Sequence, residues 1–203
     1  MTRYSFLFGS IVAILVAHSG PLGGAGSSVS GSVKVTGLAS SADAVAYLEQ
    51  VPGTFAPPVK PTEMDQRGKQ FMPHVLPIVV GTTVRFLNND PTRHNVFSPD
   101  KEKYNLGTWP RGQARDRTFG ACANVPCAYV QLCLLHPEME AYVVVLQNPF
   151  FATTNADGRF EINNVPPGTY SLAVWHAKGK AQPKPVTIDG ANRAVVDFVL
   201  GRR

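Results

Sequence analysis

Charge is sparse in this chain of 203 residues, cysteine is scarce, and helical periodicity is missing. With 16% charged against 44% hydrophobic residues, a disordered, self-repelling chain is excluded and a buried core can form. No stretch keeps apolar residues at the i, i+3, i+4, i+7 spacing of an amphipathic helix, which argues against a helical bundle. Beyond the segment Phe6 to Ala17, no apolar run approaches the ~20 residues needed to span a bilayer, so no transmembrane segment is expected in the mature chain. The G-x-S-x-G elbow, the P-loop, H-E-x-x-H and the C-x-x-C of thiol oxidoreductases are all absent, and the chemistries they mark go with them. Basic and aromatic residues do not interleave as they would on a nucleic-acid surface.

What the chain does have is short Val/Thr/Tyr/Phe runs cut by turn residues, with 18 glycines and 17 prolines. That pattern predicts an all-β protein. Gly31 to Val35 and Ala44 to Leu48 alternate as strands, and the proline-rich stretch from Pro52 to Pro61 reads as a loop. Phe71 to Pro77 leads into a strand, a turn at Gly81 and a second strand ending at Leu87; Ala128 to Leu132 and Ala141 to Leu146 are two more. After Pro149, Thr153 to Ile162 reads as a hairpin turning on Asp157-Gly158. Val165 to Trp175 reads as turn plus strand, and Val186 to Leu200 as two short strands around Asp189-Gly190. Gly107 to Arg117, with Arg111, Arg115 and Arg117, reads as a solvated polar loop rather than a docking face for an acidic partner.

Arg3 precedes the apolar core Phe6 to Ala17, and small residues follow it, so residues 1–28 read as a secretory signal. The expected location is periplasmic or secreted. No cysteine follows the apolar core to take a lipid anchor. The net charge of +5 favours an acidic partner or an anionic surface.

Three cysteines in an oxidising compartment leave one over. Cys122 and Cys127 are close enough in sequence for a small disulfide loop; if left reduced they would compete for metal. Cys133 is then unpaired, and it opens a C-x-x-H-x-x-M run with His136 and Met139. Soft sulfur and imidazole donors select copper over magnesium, calcium or manganese, and two His, one Cys and a weak Met form the ligand set of an electron-transfer copper site. His94, after the turn-forming residues Asn88 to Arg93, is the candidate fourth donor. His74 and His176 read as structural or surface residues, and Asp157 and Gly158 as turn formers.

Phe86-Leu87-Asn88-Asn89-Asp90-Pro91-Thr92-Arg93-His94-Asn95-Val96, taken with Cys133-x-x-His136-Pro137-x-Met139, resembles the cupredoxins of the amicyanin type. Phe71 to Val84 is similar to the first strands of such a domain. The wider combination, with Asp157-Gly158-Arg159-Phe160 downstream, resembles exported methylamine-utilisation-protein-like cupredoxins. This resemblance implies a Greek-key sandwich with His94, Cys133, His136 and Met139 as copper ligands and no enzymatic turnover. It also implies that Asn95 joins the two ligand loops and places its amide on the Cys133 sulfur, and that His136 is the electron port under an apolar patch.

The run Thr153-x-x-x-Asp157-Gly158-Arg159-Phe160-x-Ile162 with Val165-Pro166-Pro167-Gly168-Thr169-Tyr170-x-Leu172 resembles a second family, the carboxypeptidase-regulatory-like, or transthyretin-like, β-sandwich. Its usual first strands are matched at the other end of the chain, at Gly31-Ser32-Val33 and Ala44 to Tyr47. The expected organisation is a smaller sandwich built from residues 29–56 and 149–203, with a cupredoxin domain, residues 57–148, inserted; simple tandem order is the rival. The expected function is an exported type 1 copper protein passing single electrons to a redox partner. A copper carrier or store, and an envelope binding module with a vestigial site, are the alternatives.

Overall fold

The computed structural model describes residues 27–100, 102–122, 125–190 and 193–202. The secretory signal expected over residues 1–28 lies outside them except for Ser27 and Ser28, and Ser28 already opens the first strand. The described residues form strands and no helix, in agreement with the all-β expectation. In chain order the strands are β1 (Ser28–Val35), β2 (Val45–Glu49), β3 (Thr62–Arg67), β4 (Gln70–Met72), β5 (Val75–Val79) and β6 (Thr83–Leu87). Then follow β7 (His94–Ser98), β8 (Tyr104–Trp109), β9 (Ala114–Thr118), β10 (Cys127–Leu132), β11 (Glu140–Leu146) and β12 (Phe151–Thr153). The last are β13 (Arg159–Ile162), β14 (Gly168–Trp175), β15 (Gly179–Lys180), β16 (Lys184–Ile188), β17 (Arg193–Val195) and β18 (Phe198–Arg202).

These strands form four sheets. The middle of the chain makes two, ordered β5-β11-β10-β7-β8 and β4-β3-β6-β9. Their inner faces share a core that includes Met64, Phe86, Val96, Trp109, Phe119, Tyr129 and Val143. The two ends of the chain make the others, β13-β1-β18-β15 with β17 also on β1, and β12-β2-β14-β16. Their core holds Val29, Val33, Leu48, Phe160, Ile162, Leu172 and Leu200. Period-2 alternation explains most of both, with one row of apolar side chains turned inward, while β2, β11 and β14 bury both rows.

β1 lies in a tight groove. A Cβ on Gly31 would stand 1.9 Å from the carbonyl oxygen of Val196, so only glycine lets the two backbones approach. A third apolar cluster joins the sandwiches: Val45, Tyr47, Ala173 and Trp175 from one meet Val75, Val144 and Leu146 from the other. The Tyr142 and Trp175 rings lie 5.4 Å apart across this contact.

Three expectations change. The segment Gly107 to Arg117 is not one loop: it contains the end of β8, a turn and most of β9. These two strands are edges of their sheets, and two arginines of β9 lie on aromatic rings of β8, with Arg117 Cζ 3.9 Å from the Tyr104 ring centre and Arg115 Cζ 5.5 Å from that of Trp109. A charged residue on an edge strand blocks further strand addition. Thr153 to Ile162 does not form a hairpin, because β12 pairs with β2 while β13 pairs with β1. The Asp157-Gly158 turn is real, with Gly158 at φ +77° and the Asn155 side chain accepting from the Asp157 and Arg159 amides, but it carries the chain from one sheet to the other. Val186 to Leu200 contains parts of three strands rather than two.

Candidate metal centre

β7 and β10 pair antiparallel at Phe97 and Leu132, which sets the start of β7 beside the end of β10. His94 is the first residue of β7, and Cys133 follows β10 directly. Two further contacts tie the loops. The Asn95 amide donates to Cys133 Sγ at 3.4 Å, and the Leu134 amide donates to Asn95 Oδ1 at 3.3 Å. The Asn95 side chain is itself held by the Gly107 carbonyl at 2.7 Å and Asn105 Oδ1 at 2.8 Å.

The thiol of Cys133 lies between two imidazoles, with Nδ1 of His94 and Nδ1 of His136 each 3.9 Å from Sγ. The three donor atoms all lie within 4.8 Å of one another, and the two rings are 4.7 Å apart at their centres. Cys122 and Cys127 form a disulfide, so Cys133 keeps a free thiol. His94 and Cys133 are buried and His136 is half-buried. Met139 is also buried in the core cluster that contains Cys133, and its amide donates to the His136 carbonyl at 2.9 Å. His74 instead pairs with Asp43 at 2.8 Å, and His176 is buried with Nδ1 accepting from the Lys178 amide; neither joins the three-donor group.

Asp90 was legible only as a turn former, yet it orients the site. Its buried carboxylate accepts from the Gly68 amide at 2.6 Å, the Lys69 amide at 2.7 Å and His94 Nε2 at 2.7 Å. A carboxylate anion can only accept, so the His94 proton sits on Nε2 and the Nδ1 lone pair faces the Cys133 sulfur. Asn88 braces the same turn, donating to the Thr92 and Trp109 carbonyls and accepting from the Asp90 amide. The sequence signal was a carboxylate four residues before the candidate histidine, facing it across the turn.

The donors fit a first-row metal ion. Bonds of about 2.3 Å to sulfur and about 2.0–2.1 Å to nitrogen, spread at trigonal angles, put N and S roughly 3.7 Å apart. The observed separations are 3.9 Å.

With this site at one end of the β3–β11 sandwich, the strand order decides the architecture. The chain carries two β-sandwiches, one that holds this site and is built by the middle of the chain, and one built by its two ends. Residues 137–201 match the family model of the carboxypeptidase regulatory-like domain, a match that begins inside the Cys133–Met139 loop of the site-bearing sandwich. No curated protein matches the chain. Among solved structures, a copper-containing nitrite reductase from Thermus scotoductus is similar at 30% identity over 47% of this chain, with a TM-score of 0.39. The chain spans 24% of that reductase's length. A purple cupredoxin from Nitrosopumilus maritimus is similar at 24% identity, covering 41% of this chain and 97% of its own, with a TM-score of 0.37. Amicyanin from Paracoccus versutus is similar at 21% identity, covering 44% and 91%, with a TM-score of 0.39.

The site's environment sets an acid limit for the metal-free fold. Burial alone would raise the Asp90 carboxyl, but the Lys69 amide, the His94 imidazole and the Gly68 amide together hold it below the ordinary aspartate range. Asp116 is held down by Arg85, and Asp197 by the hydroxyl and amide of Ser32. A carboxyl depressed on folding stabilises the fold above its unfolded value of about 3.9, and that stability is lost as pH falls through the folded value. Thermal melts of the metal-free protein should therefore be level from pH 7 to about pH 5 and fall progressively below about pH 4. Asp90→Asn should lower the pH 7 melting temperature and flatten the acid fall; an unchanged acid limb would remove Asp90 from this account.

Proposed function

We propose that the chain is an exported type 1 copper protein that carries single electrons between larger redox partners and turns over no substrate. The observation that supports this best is the buried Cys133 thiol set between the Nδ1 atoms of His94 and His136 at 3.9 Å each. His94, Cys133 and His136 would hold copper, and Met139 would be the weak fourth donor. Bound copper would supply a one-electron couple. The chain's own part is to fix the donors beforehand. Asp90 keeps the His94 proton on Nε2, and the Asn95 amide points at the sulfur, an outer-shell bond of the kind that tunes a metal site.

Burial favours electron carriage over copper delivery. His94 is 0%, Cys133 3% and Met139 1% exposed, so an ion held there would be slow to leave. His136 reaches outward between exposed Leu135 and exposed Pro137, giving an electron a path that does not open the site. A purely structural module would gain nothing from an unpaired thiol between two imidazoles. We read residues 57–148 as the copper-holding unit inserted between residues 29–56 and 149–203; the pairing of β1 and β2 with β12–β18 supports that order over a tandem one.

The visible spectrum of the copper-loaded protein tests the proposal. An intense thiolate-to-copper band is expected, and a colourless one-to-one complex would refute type 1 geometry. Met139→Leu should keep the colour and raise the reduction potential, because a donor that favours Cu(II) is lost. An unchanged potential by voltammetry would take Met139 out of the ligand set.

A further inference from the structure

We infer that the face around His136 is built for an acidic redox protein, one that presents an apolar spot ringed by carboxylates. This rests on the copper reading above. Leu134 and Leu135 are 60% and 50% exposed, two adjacent members of the eight exposed large apolar side chains among the described residues, and Pro137 beside them is exposed too. An apolar contact alone would not select a partner by charge, and the surrounding residues do.

The site-bearing sandwich carries six arginines, and they divide into two groups. Arg67 pairs with Asp65, Arg85 with Asp116 and Arg117 with Glu102. Among the described residues Arg93, Arg111 and Arg115 are in no ion pair, and all three gather at the His94 end of the sandwich. Arg93 directly precedes His94 and donates to the Thr108 carbonyl at 3.2 Å. Thr108 pairs with Asn95, whose side chain holds the Leu134 amide, so the guanidinium and the apolar loop flank the start of β7 on its two sides. Arg115 lies over the ring of Trp109, and Trp109 pairs with His94. Arg111 is in the β8–β9 turn, which the Gly112 amide pins to the Asn88 carbonyl at 2.7 Å.

The ligand loop contributes one exposed carboxylate, Glu138, and Asp90 lies buried against His94, whereas the three arginines are all exposed. Such a rim would raise encounter rates with an anionic surface and would do so less as salt is added. Arg117, which the sequence grouped with Arg111 and Arg115, does not belong to it, because Glu102 neutralises it under the Tyr104 ring.

The test uses the copper(I)-loaded full chain and two small one-electron oxidants of opposite charge, hexacyanoferrate(III) and tris(phenanthroline)cobalt(III). Each takes one electron, leaving copper(II) and iron(II) or cobalt(II). By stopped flow, the hexacyanoferrate rate should fall with ionic strength and the cobalt rate should rise. Reversing the rim (Arg93→Glu, Arg111→Glu, Arg115→Glu) should slow hexacyanoferrate by about tenfold or more and speed the cobalt complex. An equal reversal on the other sandwich (Lys34→Glu, Arg159→Glu, Lys180→Glu) should change either rate by no more than about twofold. If the two reversals act alike, or if the wild-type salt dependences have the opposite sign, the acidic-partner inference fails while the copper reading stands. If the chain takes up no copper, or neither oxidant removes an electron from it, both fall. Sedimentation of the wild-type chain with phosphatidylglycerol vesicles, lost on reversal of the rim, would assign the face to a lipid surface and overturn the inference.

Discussion

Cys133→Ser should leave the copper-loaded protein colourless. It should also weaken Cu(I) binding by more than the ~10–100-fold that loss of an outer-shell partner costs, since a ligand itself is removed. The serine hydroxyl can take over the Asn95 amide that now points at Sγ, so the fold should survive, with a stability loss of about 1–3 kcal/mol for a hydroxyl in a buried site. Absorption spectra and competitive titration with a Cu(I) chelator measure the first effect, and metal-free melts the second. If the serine variant keeps an intense visible band, the thiolate is not its source, and the arrangement of His94 and His136 around Sγ would need another explanation.

Trp175→Ala should be the most damaging substitution away from the site. Trp175 is 6% exposed and packs in the cluster that joins the two sandwiches, with its ring against Tyr142. Truncating a buried tryptophan costs about 3–5 kcal/mol, a large share of the 5–15 kcal/mol that typically holds a domain folded. The loss falls on a shared contact, so calorimetry should show one transition in the wild type and two separated ones in the variant. The visible copper spectrum should remain unchanged, because Tyr142 reaches the ligand loop only through β11. A loss under about 1 kcal/mol would mean that the sandwiches are held together by the chain crossings rather than by this cluster.

The donors were legible in the sequence because their chemistry is peculiar: a thiol, an imidazole and a thioether at three-residue spacing have few bland explanations. The turn that aims His94 was not. Asn88, Asn89 and Asp90 are ordinary turn formers, and nothing in their order says that one carboxylate will be buried to accept from two amides and a histidine. Strand β3 was overlooked because Thr62 to Arg67 contains a single strongly apolar residue, Met64, and its other inward residue is Gln66, which donates to the Leu87 carbonyl. β8 and β9 were overlooked for a related reason. The arginines of β9 and of the turn before it signal solvent in one dimension, whereas in three dimensions Arg117 and Arg115 cover Tyr104 and Trp109 of β8 at the open edge of the sandwich. The Asp157-Gly158 turn shows a different limit, since a turn motif reports a reversal of the chain but not which strands will flank it.

The pairing of β1 has a consequence for the order of events when the protein is made. Each of its three neighbours, β13, β17 and β18, lies more than a hundred residues further along, and the Ser32 to Asp197 bond closes 165 positions. Synthesis from the N-terminus presents β1 long before anything exists to zip onto it, while β3 to β11 can already assemble from near neighbours. The metal pocket would then be complete while the outer shell is still a pair of waiting strands, so copper could be captured by a molecule whose final strand has yet to arrive.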